Sequence, residues 1–305
     1  MTDDTATVPR VPARWGPWRG RVRRVAIHSA GRARNGVVHV ADRIVRRARV
    51  RVLATRELDR QTVVGQRALV TRLIQESSGG RVGSGPFAGM WISDETSWFD
   101  GSLAPKLLGC YEQELHDVVE EVVADDPPVV VNYGCAEGFY AVGFALRLRS
   151  TDVVAVDIDD RALTVCTANA VRNGVADRIR AVHPEQVPPE VLATPGIVVI
   201  VDVEGDEARL LGPDGLGSLE HATVIVECHD DVVPGITDLL ARRYGGTHRI
   251  RRLHQGSRDP HQYEVLQPVR ETSRWLAVSE SRPQAMTWLV LTPLGGADGR
   301  PDPPL

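Results

Sequence analysis

The chain has 305 residues, 42% of them hydrophobic, and a formal net charge of −4 at pH 7. That length buries a full core, as one large domain with extensions or as two small ones, and the slightly negative balance excludes a global field favouring nucleic acid. Lys106 is the single lysine among many arginines, which reads as coding bias rather than a design for binding.

Residues 1–20 are rich in Pro, Trp and Arg and predict a flexible tail. Arginines far outnumber acids up to residue 60; a solvated amphipathic helix pair explains them, and an anionic surface or partner is the alternative. Val37, Val40, Ile44, Ala48 and Val52 recur at helical spacing between Gly36 and Ile74. With the glycine- and serine-rich linker Ser78–Pro86, they make residues 21–85 an Arg-rich helical extension. The main domain is expected over 86–293 and a disordered tail over 294–305. PFAGMWISDETSWFDG reads as a loop or hairpin beside the site, and Leu107 to Val123 as a helix.

From Val129 to Asp157 the chain reads as strand, glycine turn, helix and strand, closing on a carboxylate. Gly134 and Gly138 let backbone approach a ligand, the first helix turn offers free N–H groups, and Asp157 can take two ribose hydroxyls. A nucleoside-containing cofactor is therefore expected. Dinucleotide folds want G-x-G-x-x-G, but this turn lacks the second glycine and places Glu137 where two phosphates would lie. S-adenosylmethionine has no phosphate, and its ammonium and carboxylate suit a turn that mixes N–H groups with acids. An NAD-dependent oxidoreductase is the less favoured alternative.

Strands are predicted near 129–133, 152–157, 178–182, 197–203 and 222–227, alternating with helices, which implies parallel pairing and right-handed crossovers. Ligands of open α/β sheets lie at the carboxyl ends of the strands, where Asn132, Asp157, Asp202 and Glu227 all fall. THRIRRLH, HQYEVLQ and MTWLVLTP read as further strands that finish the sheet antiparallel.

The motifs VVVNYGCAEGFYAVGFA and VVAVDIDDRALTVCTANAVRNGV resemble those of class I S-adenosylmethionine-dependent methyltransferases, over roughly Leu107 to Asp231. Asp202, Val203, Glu204, Gly205 and Glu207 are similar to the D-V-E-G-x-E signature of the FkbM-type family within that class. The resemblance implies a Rossmann-like α/β fold, mostly parallel and seven-stranded with an antiparallel last strand, and O-methylation of a hydroxyl on a sugar, glycan or secondary metabolite. Asn132 departs from it, replacing the acid that such enzymes often place at the end of the first strand. A repurposed or non-catalytic member of the fold is therefore the main alternative.

The expected cofactor residues are Tyr111, Asn132, Gly134, Glu137, Gly138, Tyr140, Asp157, Ile158, Glu185 and Asp202. Glu185 would meet the adenine amino group. Glu112 and His116 could cover the cofactor beside Tyr111. For removal of an acceptor proton, His229 is the first candidate base, because its free pKa lies near neutrality. Asp202 and Glu204 would hold the acceptor or the methionine end. An oxygen-rich Mg²⁺ site at Asp202, Glu227 and Asp230, with Asp231 nearby, is an alternative that would acidify a hydroxyl. Trp91, Trp98, Trp275 and Trp288 either stack on sugar rings or fill core, and His254 and His261 lie on the acceptor side.

The expected partners are a small-molecule or glycan acceptor, with no nucleic acid and no membrane, and a homodimer contact as one use of the added segments. Cys110, Cys135, Cys166 and Cys228 have no C-x-x-C spacing and read as core residues of a reduced protein. MTDDTATVPR lacks a basic start followed by an apolar run, and no stretch reaches bilayer length, so a cytoplasmic protein is expected.

Overall fold

A computed structural model describes residues 62–95 and 102–295. Most of the Arg-rich extension, Trp98 and the tail beyond 295 lie outside them. The described residues fall in one compact unit that begins at Asp59.

The strands are β1 (Val129–Tyr133), β2 (Asp152–Val156), β3 (Ile179–Val182), β4 (Val198–Val201), β5 (Thr223–Cys228), β6 (His248–His254) and β7 (Thr287–Pro293). They form one sheet in the order β3-β2-β1-β4-β5-β7-β6, parallel from β3 to β5, with β7 antiparallel to both neighbours. This is the Rossmann-like methyltransferase arrangement that the resemblance implies.

The helices are α1 (described over 62–78), α2 (Leu103–Leu108), α3 (His116–Asp125), α4 (Phe139–Arg147), α5 (Asp160–Asn173), α6 (Pro189–Leu192), α7 (Glu207–Leu210), α8 (Ile236–Tyr244) and α9 (Glu271–Val278). Successive strand residues point to opposite faces, so β1 sends Val130 into one apolar layer and Val131 into the other. The first layer packs under α1, α4 and α5 with Ile74, Phe144 and Ala170; the second packs under α7 and α8 with Leu210, Ile236 and Leu240.

Three expectations change here. The helix predicted from Leu107 to Val123 is broken: Gly109 leaves α2 at φ +80, and Glu112 takes φ +44 before a 3₁₀ turn leads into α3. The break brings Glu112 to Arg282, which also pairs with Glu227 at the carboxyl end of β5. HQYEVLQ forms two 3₁₀ turns, Pro260–Gln262 and Glu264–Leu266, because Asp259 caps the first through His261 N–H and Pro260 has no N–H to give a ladder. The stretch expected as a linker is packed: Val82 is buried, and Arg81 forms a bridge with Trp91.

Gly134 fixes how β1 leaves the sheet. It takes φ +75, and a Cβ there would stand 1.5 Å from the Asp202 carbonyl oxygen. Gly134→Ala should lower unfolding free energy by about 3 kcal/mol or more, read from urea denaturation; a loss under about 0.5 kcal/mol would contradict this backbone packing.

Candidate active site

The turn after β1 and the tip of β2 form one group. Gly134 and Cys135 donate their N–H groups to the Val156 carbonyl at 2.8 and 3.0 Å. Ala136, at φ +46, donates to Asp157 Oδ2 at 2.9 Å, while Asp157 Oδ1 accepts from Asp159 N–H at 3.0 Å. A carboxylate oxygen has two lone pairs, so Asp157 is fixed in place yet keeps acceptor capacity for two hydroxyls. Beside it, Ile158 is 82% exposed. Asn132 is buried at the end of β1, its amide 3.5 Å from the Tyr133 carbonyl. Gly138 starts α4 at φ +86, where a Cβ would meet Cys166 Sγ at 2.6 Å. Glu185 is exposed in the 3₁₀ turn Pro184–Gln186 after β3.

Glu137 departs from its expected role. It is buried in an ion pair with Lys106, its carbonyl accepts from Asn169 Nδ2 at 2.8 Å, and the Lys106 ammonium lies 4.6 Å from the Tyr111 ring centroid. A carboxylate so enclosed needs this partner, which ties the turn after β1 to α2. His116 donates its Nε2–H to the Tyr111 carbonyl, 3.3 Å away, bracing the loop between α2 and α3.

Across the carboxyl ends of β4 and β5 lies a cluster of acids. Four of the five non-glycine residues with positive φ among the described residues, Glu112, Ala136, Glu204 and Ser281, border this region. Strain of this kind persists where surrounding structure enforces it, and it collects at functional sites. The Tyr140 hydroxyl donates to Glu112 Oε2. Asp202 Oδ1 is buried with no hydrogen bond, and burial, reinforced by the Glu112 charge, pushes its carboxyl up to about 7. Burial, with Asp202 and Glu112 alongside, holds Glu227 well above the usual carboxylate range. Where such carboxyls converge, one keeps its proton.

His229 sits among three of them: Nδ1 is 2.7 Å from Glu207 Oε1, and Nε2 is 3.3 Å from Glu204 Oε2 and 3.7 Å from Asp202 Oδ1. Burial alone would lower its pKa, but hydrogen bonds to Glu204 and Glu207 and the charge of Asp202 push it up to about 11. The three carboxylates around it favour the protonated imidazole, which has no lone pair to take a proton. The expected role of base does not fit this geometry, and the group standing near neutrality is Asp202.

Mg²⁺ does not fit either. Asp202, Glu227 and His229 bring one ligand atom each within 4.8 Å of one another, yet Mg²⁺ wants an all-oxygen shell, and Glu227 is ion-paired to Arg282. Asp230 is engaged elsewhere: its Oδ1 accepts from Gly235 N–H at 3.0 Å and its Oδ2 from the Thr237 hydroxyl, capping α8.

The tryptophans divide between roles. Trp288 is buried core, Trp91 exchanges hydrogen bonds of 2.8 Å with Asn173, and Trp275 is 47% exposed. His254 is exposed at the end of β6 and bonds Thr287 Oγ1 at 3.1 Å. His261 packs edge-on against Trp275. Sequence reasoning missed Arg282, Arg258 and Glu280, which hold the cluster together. The only signal for Glu280 and Arg282 was a Glu-Ser-Arg step just ahead of the last apolar run, and Arg258 had none.

Residues 115–202 match the family described as ribosomal protein L11 methyltransferase (PrmA). The fold is that of a class I methyltransferase. Over 150 residues the chain is 27% identical to ribosomal protein L11 methyltransferase of Vibrio parahaemolyticus, covering 49% of this chain and 43% of that protein. The namesake of Shewanella halifaxensis is 36% identical over 84 residues, 28% of this chain and 27% of that one. The chain thus spans less than half the length of these curated relatives. Among solved structures, the O-methyltransferase TomG of Streptomyces achromogenes aligns at 13% identity, over 62% of this chain and 83% of that one, with a TM-score of 0.40. These findings correct two expectations. The matched family is not the FkbM type, and relatives named for a ribosomal protein overturn the small-molecule or glycan acceptor. Among the described residues no helix is long and apolar enough to cross a membrane.

A histidine whose pKa is raised on folding contributes stability below its unfolded value, near 6.5, and loses that contribution as pH rises through about 11. His229 should therefore remain doubly protonated at pH 8 in a side-chain ¹⁵N titration. A midpoint near 6.5 would contradict the geometry.

Proposed function

We propose that the protein is an S-adenosylmethionine-dependent methyltransferase that methylates an amino nitrogen of a protein acceptor. The observation that carries this reading is the charge of the site: the carboxyl groups of Glu112, Asp202, Glu204 and Glu227 converge around Arg282, which pairs with Glu112 and Glu227, and His229, which lies beside Asp202 and Glu204. A carboxyl-rich surface of this kind attracts an ammonium and disfavours an anionic or neutral acceptor. The match of residues 115–202 to a protein methyltransferase family supports the same reading.

The cofactor fits the residues present. Asp157 has lone pairs left that would take the ribose hydroxyls, the exposed Ile158 would offer an apolar face to the adenine, and the Gly134 turn would hold the methionine end. When bound, S-adenosylmethionine supplies an electrophilic methyl carbon. The protein must then align the acceptor and remove one proton. An ammonium has no lone pair, so it first gives a proton to a group of suitable pKa. Asp202, at about 7, is matched to that task. Glu204 and Glu207 keep His229 charged, which limits repulsion among the acids.

Calorimetry should show micromolar binding of S-adenosylhomocysteine and none of NAD, with Asp157→Ala weakening the former about 100-fold. Failure of wild-type protein to bind S-adenosylhomocysteine would contradict the reading.

The pH profile follows from Asp202, whose proton acceptance is shaped by Glu112, Glu204, His229 and Arg282. Below about 7 the carboxyl is protonated, so kcat/KM for a protein amine should fall about tenfold per pH unit. Asp202→Asn should lower kcat by about 100-fold and remove that limb; an unchanged limb would assign it to another group.

A further inference from the structure

The strap 279–286 between α9 and β7 carries Arg282 back into the acid cluster. Its guanidinium donates to Glu112 Oε1 at 2.5 Å, to Glu227 Oε1, and through Nε to Glu280 Oε2 at 2.9 Å. Its carbon centre lies 5.8 Å from the Tyr111 ring centroid and 5.3 Å from that of Trp288. Glu227 and Trp288 are directly opposed in the β5–β7 pairing and so share one face. Carboxylates on one side and aromatic rings on the other are the surroundings that bind an organic cation.

Glu280 does not depend on Arg282, because Arg258 also holds it at 2.5 Å while pairing with Glu114. Withdrawal of Arg282 would therefore leave Glu112 and Glu227 short of a cation while the rest of the network kept its partners. Ser281, next to Arg282, stands at φ +60, in the left-handed region that a serine adopts only under constraint. On its outer side the same strap, with Trp275 and Arg258, lines an open groove of about 490 Å³.

We infer that Glu112, Glu227, Tyr111 and Trp288 form the subsite for the cationic group of the acceptor, and that Arg282 occupies this subsite at rest and yields it when the acceptor enters from the groove. The inference rests on the methyltransferase reading for the identity of the acceptor, but the cation site itself can be tested without cofactor. Arg282 then sets specificity: an acceptor must bring a positive charge to replace it, and a neutral hydroxyl compound cannot.

The test uses n-butylammonium as probe and n-butanol as its neutral control, titrated by calorimetry into wild type, Arg282→Ala and the volume-conserving Arg282→Met, with and without S-adenosylhomocysteine. Both variants should bind butylammonium about tenfold or more tightly than wild type, since the resident competitor is gone, while butanol binding stays unchanged. Equal butylammonium affinity in all three proteins would overturn the inference. So would unfolding of both variants, which would make Arg282 a structural clamp. Loss of S-adenosylhomocysteine binding by wild type would fall on the methyltransferase reading alone, so the two failures are distinguishable.

Discussion

A single guanidinium ties together three stretches of chain that are far apart in sequence. Arg282 pairs with Glu112 from the break between α2 and α3, with Glu227 from the end of β5, and with Glu280 from its own strap. Burying acids in this way costs several kcal/mol per ion unless each finds a partner. The position of the helix break, the strain at Glu112 and Ser281, and the closeness of β7 to β5 all serve that requirement. The same arrangement gives the site its chemistry, because burial, with the Glu112 charge beside it, raises the Asp202 carboxyl to about 7.

Much of the sheet was legible in the sequence, because its signals are local. The β-branched runs at 129–133 and 198–201 and the Gly134 turn each reflect a backbone need satisfied within a few residues. Asp157 could be placed for the same reason, since a strand end fixes where its side chain lies. What escaped was everything that depends on long-range partners. Glu137 read as a ligand residue because the sequence does not reveal that Lys106, 31 residues earlier, folds over to meet it. His229 read as a base because its free pKa was taken where three carboxylates set another. HQYEVLQ read as a strand from its alternation, yet Pro260 and the Asp259 cap bend it into turns.

The acceptor shows the same division between local and distant information. A D-V-E-G-x-E run suggested hydroxyl chemistry by likeness of letters, whereas in the fold Glu112 and Glu227 join Asp202 and Glu204 in one acid cluster. The family that matches residues 115–202 and the curated relatives are named for a ribosomal protein, and an open groove lies beside the strap.

The central claim is that the methyl group goes to a nitrogen on a protein. The most direct measurement is to incubate the enzyme with ribosomal subunits and S-adenosylmethionine labelled in its methyl group, then hydrolyse the protein fraction in acid and separate the amino acids. The account predicts label that survives mild base and elutes with an N-methylated amino acid, and that is lost with Asp202→Asn. Label released by mild base as methanol, or recovered only on carbohydrate, would contradict it.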